Sequence, residues 1–264
     1  MSSASTPHIP FVDVRNLTLQ YKTTEHLVTA THDVSFQVEQ GDRLILLGPS
    51  GCGKSTILKA IGGYMKPAGG TINLNGVEIK KPGADRGMVF QEFDQLLPWK
   101  TALENIVFAI RETTKCSEVA AIQEARKWLK KVNLIKFENS YPHALSGGMK
   151  QRVAIARCLA LKSKVILMDE PFASLDALTR QKMQEELLEL WEETKFTMVF
   201  VTHSIDEAIT LGTRIVMLSP HPGQVVAELN VDLSAYDSRN HPELIELKER
   251  ISRILFKDQL DYVI

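Results

Sequence analysis

The sequence predicts an α/β chain: a largely parallel sheet, a smaller antiparallel β-layer ahead of it and an inserted block of helices. Short continuous apolar runs at 44–47, 88–90, 165–168, 198–201 and 215–218 have the length of strands buried on both faces, and longer segments of helical period separate them. Before and around the first run, apolar and polar residues alternate, as they do in half-exposed antiparallel strands. Between the second and third runs the period changes to that of a helix.

In chain order, Val12 and Val14, then Leu17, Leu19 and Tyr21, and later Val34, Phe36 and Val38 supply the alternating pattern of the β-layer. Leu44–Leu47 is the first buried run, and Met88–Phe90 the second. In the helical insertion, Val119, Ile122, Arg126, Leu129 and Val132 share one face, with Glu118, Glu124, Lys127 and Lys131 mostly elsewhere. Small residues at 154, 156 and 160 suit a tightly packed helix ahead of Val165–Met168. Met183, Leu187, Leu190 and Trp191 form a core-facing stripe before Met198–Val201 and Ile215–Leu218. After Pro242, which suits a first helical turn, the stripe Leu244, Leu247, Ile251, Ile254 and Leu255 marks a tail helix. There are no internal repeats, low-complexity stretches or heptads.

With 264 residues, 44% of them apolar, the chain can bury a sizeable core without disulfide or metal staples. Its formal net charge of -1 excludes a general attraction to nucleic acid or to an anionic membrane, although a local basic patch stays open. No apolar run approaches the ~20 residues of a membrane span, and Met1–Pro10 lacks a secretory signal pattern, so a cytosolic protein is expected. Cys52, Cys116 and Cys158 are odd in number and widely spaced, which fits neither a disulfide framework nor a zinc site.

Chemistry enters at Gly48, Pro49, Ser50, Gly51, Cys52, Gly53, Lys54, Ser55 and Thr56, a G-x-x-x-x-G-K-[ST] pattern directly after a buried strand. The glycines let successive N–H groups converge on an anion, and a helix starting near Lys54 aims its positive end at the same point. In this reading Lys54 bridges the β- and γ-phosphates of a nucleotide and the Ser55 hydroxyl holds Mg²⁺. A Gly-rich turn with a capping serine is the alternative, and the preceding strand disfavours it. Cys52 lies beside the helix start that lowers a thiol pKa, so its alkylation is expected to block activity, with ATP protecting it.

Val165–Glu170 ends in two carboxylates with different work to do: Asp169 reaches Mg²⁺, and Glu170 is a base for water at the γ-phosphate. Capping of the turn at Pro171 is the competing role. Leu145-Ser-Gly-Gly follows the same logic as the first loop, making Ser146, Gly147 and Gly148 a second anion-binding helix start.

A phosphate loop, an L-S-G-G motif and an apolar-D-E strand in that order resemble the ATPase subunits of ABC transporters, over nearly the whole chain. The resemblance implies a P-loop NTPase (RecA-like) core with an antiparallel β-subdomain and an inserted α-helical subdomain. It places one ATPase domain over 9–264, with the core at 9–94 and 161–231, the helical subdomain at 95–160 and a tail at 232–264, which either covers the core or supports a dimer. By the same resemblance Tyr21 stacks on adenine, and Gln91 contacts Mg²⁺ and the lytic water. Ser174-Leu175-Asp176 lines a subunit interface, with Asp176 near the nucleotide, and His203 contacts the γ-phosphate. A lone Tyr or His at a strand edge more often serves packing or capping; their shared placement at one sheet edge favours the site.

Relatives of this kind act as head-to-tail dimers in which Ser146–Gly148 of one copy closes on the phosphate loop of the other. Their 91–100 region receives a membrane permease. Here it carries Leu96, Leu97 and Trp99, either a partner surface or a cluster packed under the insertion. Pro82–Gln91, the Leu-Leu-Pro-Trp stretch and Ser219-Pro-His-Pro-Gly223 look like the nitrate, sulfonate and taurine importer branch. That implies ATP and Mg²⁺ as cofactors, and a place on the cytoplasmic face of the inner membrane. It also implies indirect dependence on a periplasmic solute-binding protein and no nucleic-acid partner. Met149 stands where Gln is common, a departure next to the phosphate-contacting residues rather than among them. The competing reading is a soluble ABC-type ATPase acting on nucleic acid or ribosomes, disfavoured by a single cassette without heptads or basic surplus. A P-loop kinase would leave the L-S-G-G motif without a purpose.

Overall fold

A computed structural model describes residues 9–22, 26–92, 95–231 and 242–256. The strands are β1 (Val12–Lys22), β2 (Leu27–Val38), β3 (Arg43–Leu47), β4 (Gly69–Leu74), β5 (Val77–Glu78), β6 (Arg86–Val89), β7 (Val165–Asp169), β8 (Thr197–Thr202), β9 (Arg214–Leu218) and β10 (Val225–Asn230). The helices are α1 (Lys54–Ile61), α2 (Ala102–Thr113), α3 (Glu118–Lys131), α4 (Gly147–Ala160), α5 (Ala177–Thr194), α6 (Ile205–Leu211) and α7 (Pro242–Phe256).

All five apolar runs are strands of one six-stranded sheet, in the order β10-β9-β3-β8-β7-β6. Five strands are parallel, and β10 closes the edge antiparallel to β9. Alternate residues of β3 enter different cores: Leu44 and Leu46 face α1 and the antiparallel sheet, whereas Ile45 and Leu47 face the helices. That two-sided burial is why these runs are continuously apolar. The antiparallel sheet has the order β2-β1-β4-β5. Bulges in β1 between Val14 and Gln20 bend it over α1.

Three strands lie outside the expected set. β10 is a half-exposed edge strand whose burial alternates, and the β4–β5 hairpin turns through Asn75 and Gly76, both at positive φ. The helical insertion is realised as α2, α3 and α4, but the expected α3 face is corrected. Its buried line is Ala121, Ala125 and Leu129, while Val119 is 66% exposed and Arg126 points outward to Glu138, with bonds of 2.7 and 3.1 Å. Alanines win because α2 and α4 both approach α3 closely, which favours small side chains at the contact.

The tail helix packs against α6, with Leu244 and Ile251 buried and Lys248 pairing with Asp206 at 2.6 Å. Its apolar stripe therefore covers the core. Ile251→Ala should cost about 2–5 kcal/mol in chemical denaturation, whereas Ile245→Ala, on the exposed face of the same helix, should stay within about 0.5 kcal/mol.

Candidate functional site

A parallel sheet collects its strand ends at one edge, and loops leaving that edge can hold a ligand that no single strand could. Here the loop after β3, the carboxyl ends of β7 and β8 and the residues following β6 all emerge there.

After β3, Gly48 is buried, Ser50 and Gly51 form the exposed apex, and Gly51 and Gly53 take φ of 80° and 94°. A Cβ on Gly51 would meet nothing, yet one on Gly53 would lie 2.5 Å from the Thr31 Cγ2, so only the latter glycine is also required by space. Helix α1 has no side-chain cap and no acidic residue in its first turn. Its leading N–H groups are therefore offered to whatever anion sits above Gly51–Thr56. The Lys54 ammonium is buried and donates to the carbonyls of Gly48 at 2.8 Å and Pro49 at 2.9 Å, lacing the loop into a closed ring.

Cys52 overturns the expectation of a reactive thiol. Its side chain is fully buried, and burial pushes its pKa up despite nearby Lys54. Desolvation outweighs the lowering effects of the Lys54 charge and of the Lys54 and Cys52 N–H groups, because the sulfur lies in the core beneath the loop. The exposed thiol of the chain is Cys116.

Ser55 Oγ donates to Asp169 Oδ1 at 2.7 Å, joining the start of α1 to the end of β7. Burial raises the Asp169 pKa, opposed by the Ser55 hydrogen bond, with the adjacent Glu170 charge raising it further. A desolvated carboxylate beside a hydroxyl is a hard-oxygen pair that fits a Mg²⁺ shared with phosphate oxygens, and Ser55 and Asp169 would hold it. Glu170 occupies φ 42°, unusual for a residue with a side chain, and its N–H donates to Val201 O at 3.1 Å. That twist turns its carboxylate toward His203, whose Nδ1 lies 3.0 Å from Glu170 Oε2. The carboxylate is mostly buried and the imidazole 55% exposed, so the pair opens to solvent on the His203 side.

Lys54, Ser55, Asp169, Glu170 and His203 thus form one connected group. Among the described residues, no hydrogen bond or ion pair links the expected residues outside the Gly48–Thr56 loop to it. Tyr21 lies on β1 and is 45% exposed, and Gln91 stands exposed just past β6. Ser146 caps α4 by accepting from Met149 N at 3.3 Å, and Gly148 is buried with its Cα facing Thr179 of α5. Asp176 caps α5, and hydrogen bonds from the Thr179 side chain and backbone hold its exposed carboxyl below the usual range.

Two polar networks behind the site escaped the sequence reading. Phe90, next to Gln91, is held by Gln95 and Gln151. Its N–H donates to Gln95 Oε1 at 3.1 Å, Gln151 Nε2 donates to its carbonyl at 3.1 Å, and Gln95 Nε2 donates to Gln151 Oε1 at 2.9 Å. The available signal was Gln151 itself, which shares a helical face with Gly148, Ile155 and Cys158, all buried. Behind His203, buried Glu207 accepts from Thr202 Oγ1 at 2.5 Å and from Gln184 Nε2 at 3.2 Å.

The 91–100 region divides. Leu96 is core, whereas Trp99 is 69% exposed, against the alternative that it packs under the insertion. Asn105, fully buried, pins its turn by accepting from Leu97 N and donating to the carbonyls of Leu97, Lys100 and Thr101.

Comparison with known proteins agrees with this arrangement. Residues 31–173 match the ABC transporter family. The taurine import ATP-binding protein TauB of Pelagibacter ubique is 41% identical over 92% of this chain and 94% of its own. The nitrate import ATP-binding protein NrtD of Synechocystis sp. is 40% identical over 86% and 88%. Among solved structures, an ATP-binding cassette captured as a dimer in a post-hydrolysis state with ADP and Pi superposes with a TM-score of 0.73 at 35% identity, over 84% of this chain and 99% of that one.

The Asp169 carboxyl has a raised folded-state pKa, so its charged form opposes folding, and stability contributed by its titration increases as pH falls through that pKa. Asp169→Asn should leave the nucleotide-free unfolding midpoint equal to or above that of the parent at neutral pH. It should also lower the dependence of nucleotide affinity on Mg²⁺ by about tenfold or more, read by titration calorimetry with and without the metal.

Proposed function

The chain belongs to the ABC transporter family, and from that premise we propose that it is the ATP-hydrolysing subunit of an importer for a small anionic solute of the taurine, sulfonate or nitrate kind. The observation that carries the ATPase reading is the connected group at the strand ends: a laced phosphate loop, the Ser55–Asp169 oxygen pair and the Glu170–His203 pair beside it. The solute class rests on the names of the relatives, whose pattern favours transport over an ATPase acting on nucleic acid or ribosomes.

In this mechanism Tyr21 stacks on the base, and the loop from Gly48 to Thr56 receives the phosphates on its N–H groups. Lys54 exchanges its contacts to the Gly48 and Pro49 carbonyls for phosphate oxygens, a charge-assisted replacement for neutral acceptors. Mg²⁺ at Ser55 and Asp169 supplies neutralisation of phosphate charge. Gln91 orients the attacking water and Glu170 accepts its proton. His203 steadies the Glu170 carboxylate through Nδ1, leaving its other nitrogen for the γ-phosphate.

Completion of the site needs a second copy. The start of α4, with Ser146, Gly147 and Gly148, makes no bond to the phosphate loop of its own chain, and its helix dipole favours an anion. A head-to-tail dimer would place it across the γ-phosphate of the partner's nucleotide, with Asp176 at the seam, and yield two equivalent sites. The dimeric cassette with ADP and Pi supports this assembly. Trp99, held outward by the Asn105-pinned turn, is the contact we assign to a permease. Among the described residues no helix is long and apolar enough to cross a membrane, which fits a subunit that works through such a partner at the cytoplasmic face.

Glu170→Gln should keep ATP affinity, slow hydrolysis by about 10²- to 10⁴-fold and sediment as a dimer with Mg-ATP; normal turnover or monomers alone would refute the assignment. Purified from membranes with its partners, the native protein should bring down a polytopic subunit. Its ATPase rate should rise several-fold when taurine, an alkanesulfonate or nitrate is added together with the cognate binding protein. Recovery with ribosomes or DNA instead would overturn the transport reading.

A further inference from the structure

The turn Ser219–Gly223 joins β9 to β10 and has no place in the site as described so far. Its last residue lies where no side chain fits. A Cβ on Gly223 would stand 2.1 Å from the Cys52 carbonyl oxygen, so the bare backbone of the turn presses on the backbone of the phosphate loop. Gly223 is not among the glycines at positive φ; contact, and not backbone conformation, excludes a larger residue.

Gly223 also grips β2. Its N–H donates to Ala30 O and its carbonyl accepts from His32 N, both at 3.0 Å, forming an isolated bridge opposite Thr31. The same stretch of β2 supports the far side of the loop, since a Cβ on Gly53 would meet Thr31 Cγ2 at 2.5 Å and Ala30 O at 2.8 Å. The near side rests on the end of β9, where a Cβ on Gly48 would lie 3.0 Å from Leu218 O. Three supports therefore hold the loop, at Gly48, Cys52 and Gly53, and Gly223 supplies one and fastens another. Ser219 keeps the turn in shape: its N–H donates to Gln224 O at 2.9 Å, and its Oγ accepts from Gln224 N at 3.0 Å.

We propose that Gly223 is a positioning residue for nucleotide binding, the spacer that sets how far β2 and the β9–β10 turn stand from the phosphate loop. N–H groups cradle an anion well only when held within ~0.5 Å of their places. A methyl at 223 would push the Cys52 peptide up, or β2 and with it the brace on Gly53 away. Either shift reaches the N–H groups of the loop. The Glu170–His203 pair has no bond to the turn, so hydrolysis of nucleotide once bound is spared.

The inference rests on Gly48–Thr56 being the phosphate loop, and the test separates the two. ATP with Mg²⁺ is titrated calorimetrically into the purified chain carrying Gly223→Ala, Gly223→Val or Lys54→Ala, alongside steady-state hydrolysis and nucleotide-free unfolding. Gly223→Ala should raise Kd and KM about tenfold, and Gly223→Val further, with kcat at saturating ATP within about threefold and the nucleotide-free unfolding midpoint lowered by the overpacking. A purely structural role would lower the midpoint and leave the affinity of the folded fraction intact. Affinity within about twofold of the parent for both Gly223 variants, while Lys54→Ala loses binding, overturns the positioning role and leaves the loop assignment standing. Undiminished affinity in Lys54→Ala overturns that assignment and this inference with it. Should the Gly223 variants not fold, Ser219→Ala, which only loosens the turn, should raise Kd about threefold; an unchanged Kd overturns the proposal.

Discussion

Backbone N–H groups can hold an anion only if several successive peptides point at one spot, and a chain segment that short does not hold such a shape unaided. Around Gly48–Thr56 the constraint is met from below and from within. Packing from below is so close that Gly48 and Gly53 cannot carry a Cβ without meeting Leu218, Thr31 or Ala30. From within, Lys54 bridges the carbonyls of Gly48 and Pro49. The latter arrangement solves two problems with one charge. A buried ammonium without acceptors would be costly, and carbonyls turned away from the anion would otherwise be unsatisfied. In the proposed nucleotide-bound state the ammonium would have a better partner in reach, and the phosphate itself would then hold the loop.

The two neighbouring carboxylates show how environment divides labour between like groups. Asp169 sits 2.7 Å from the Ser55 hydroxyl with a pKa raised chiefly by burial, so it gains by meeting a cation. One residue on, the backbone leaves the strand with φ 42° and carries Glu170 to a different neighbour, the partly exposed His203. Had β7 continued in regular geometry, residues 169 and 170 would project to opposite faces of the sheet. The strained turn is what would let adjacent side chains serve the same phosphate in the proposed mechanism.

How much of this was legible follows from burial. The parallel strands were plain because both faces are covered, which leaves only one kind of residue along Leu44–Leu47 or Val165–Met168. β10 was not, because an edge strand that is half wet reads as an ordinary polar segment, Val225–Asn230. Asn75-Gly76 was a hairpin signal that went unread because its strands are short and β5 is exposed. On α3 the count of large apolar residues pointed at Val119, whereas close helix contact selects Ala121 and Ala125, which such a count underweights. Motif spacing singled out the candidate site residues, since the chemistry proposed for them constrains residue type. It could not reveal which way Cys52 points, nor that Gln95 and Gln151 close around Phe90, because those depend on how distant elements meet.

The two helix starts differ in a way that bears on how the proposed dimer would open. Helix α1 has Gly53 as its cap and no side chain to satisfy its first turn, so its N–H groups depend on an anion. Helix α4 is capped by its own Ser146, worth about 1 kcal/mol to a helix whether or not phosphate is near. The Ser146 hydroxyl accepts from Met149 N and keeps its proton to donate outward, so in the proposed dimer it would add one hydrogen bond to those of the Gly147 and Gly148 N–H groups and the helix dipole. Loss of the terminal phosphate removes nearly all that α4 of the second copy would hold, yet leaves α1 most of its anion. In the proposed dimer, separation would therefore fall at the α4 side, with the remaining nucleotide staying on the phosphate loop, and the helix that carries its own cap would be the one to let go.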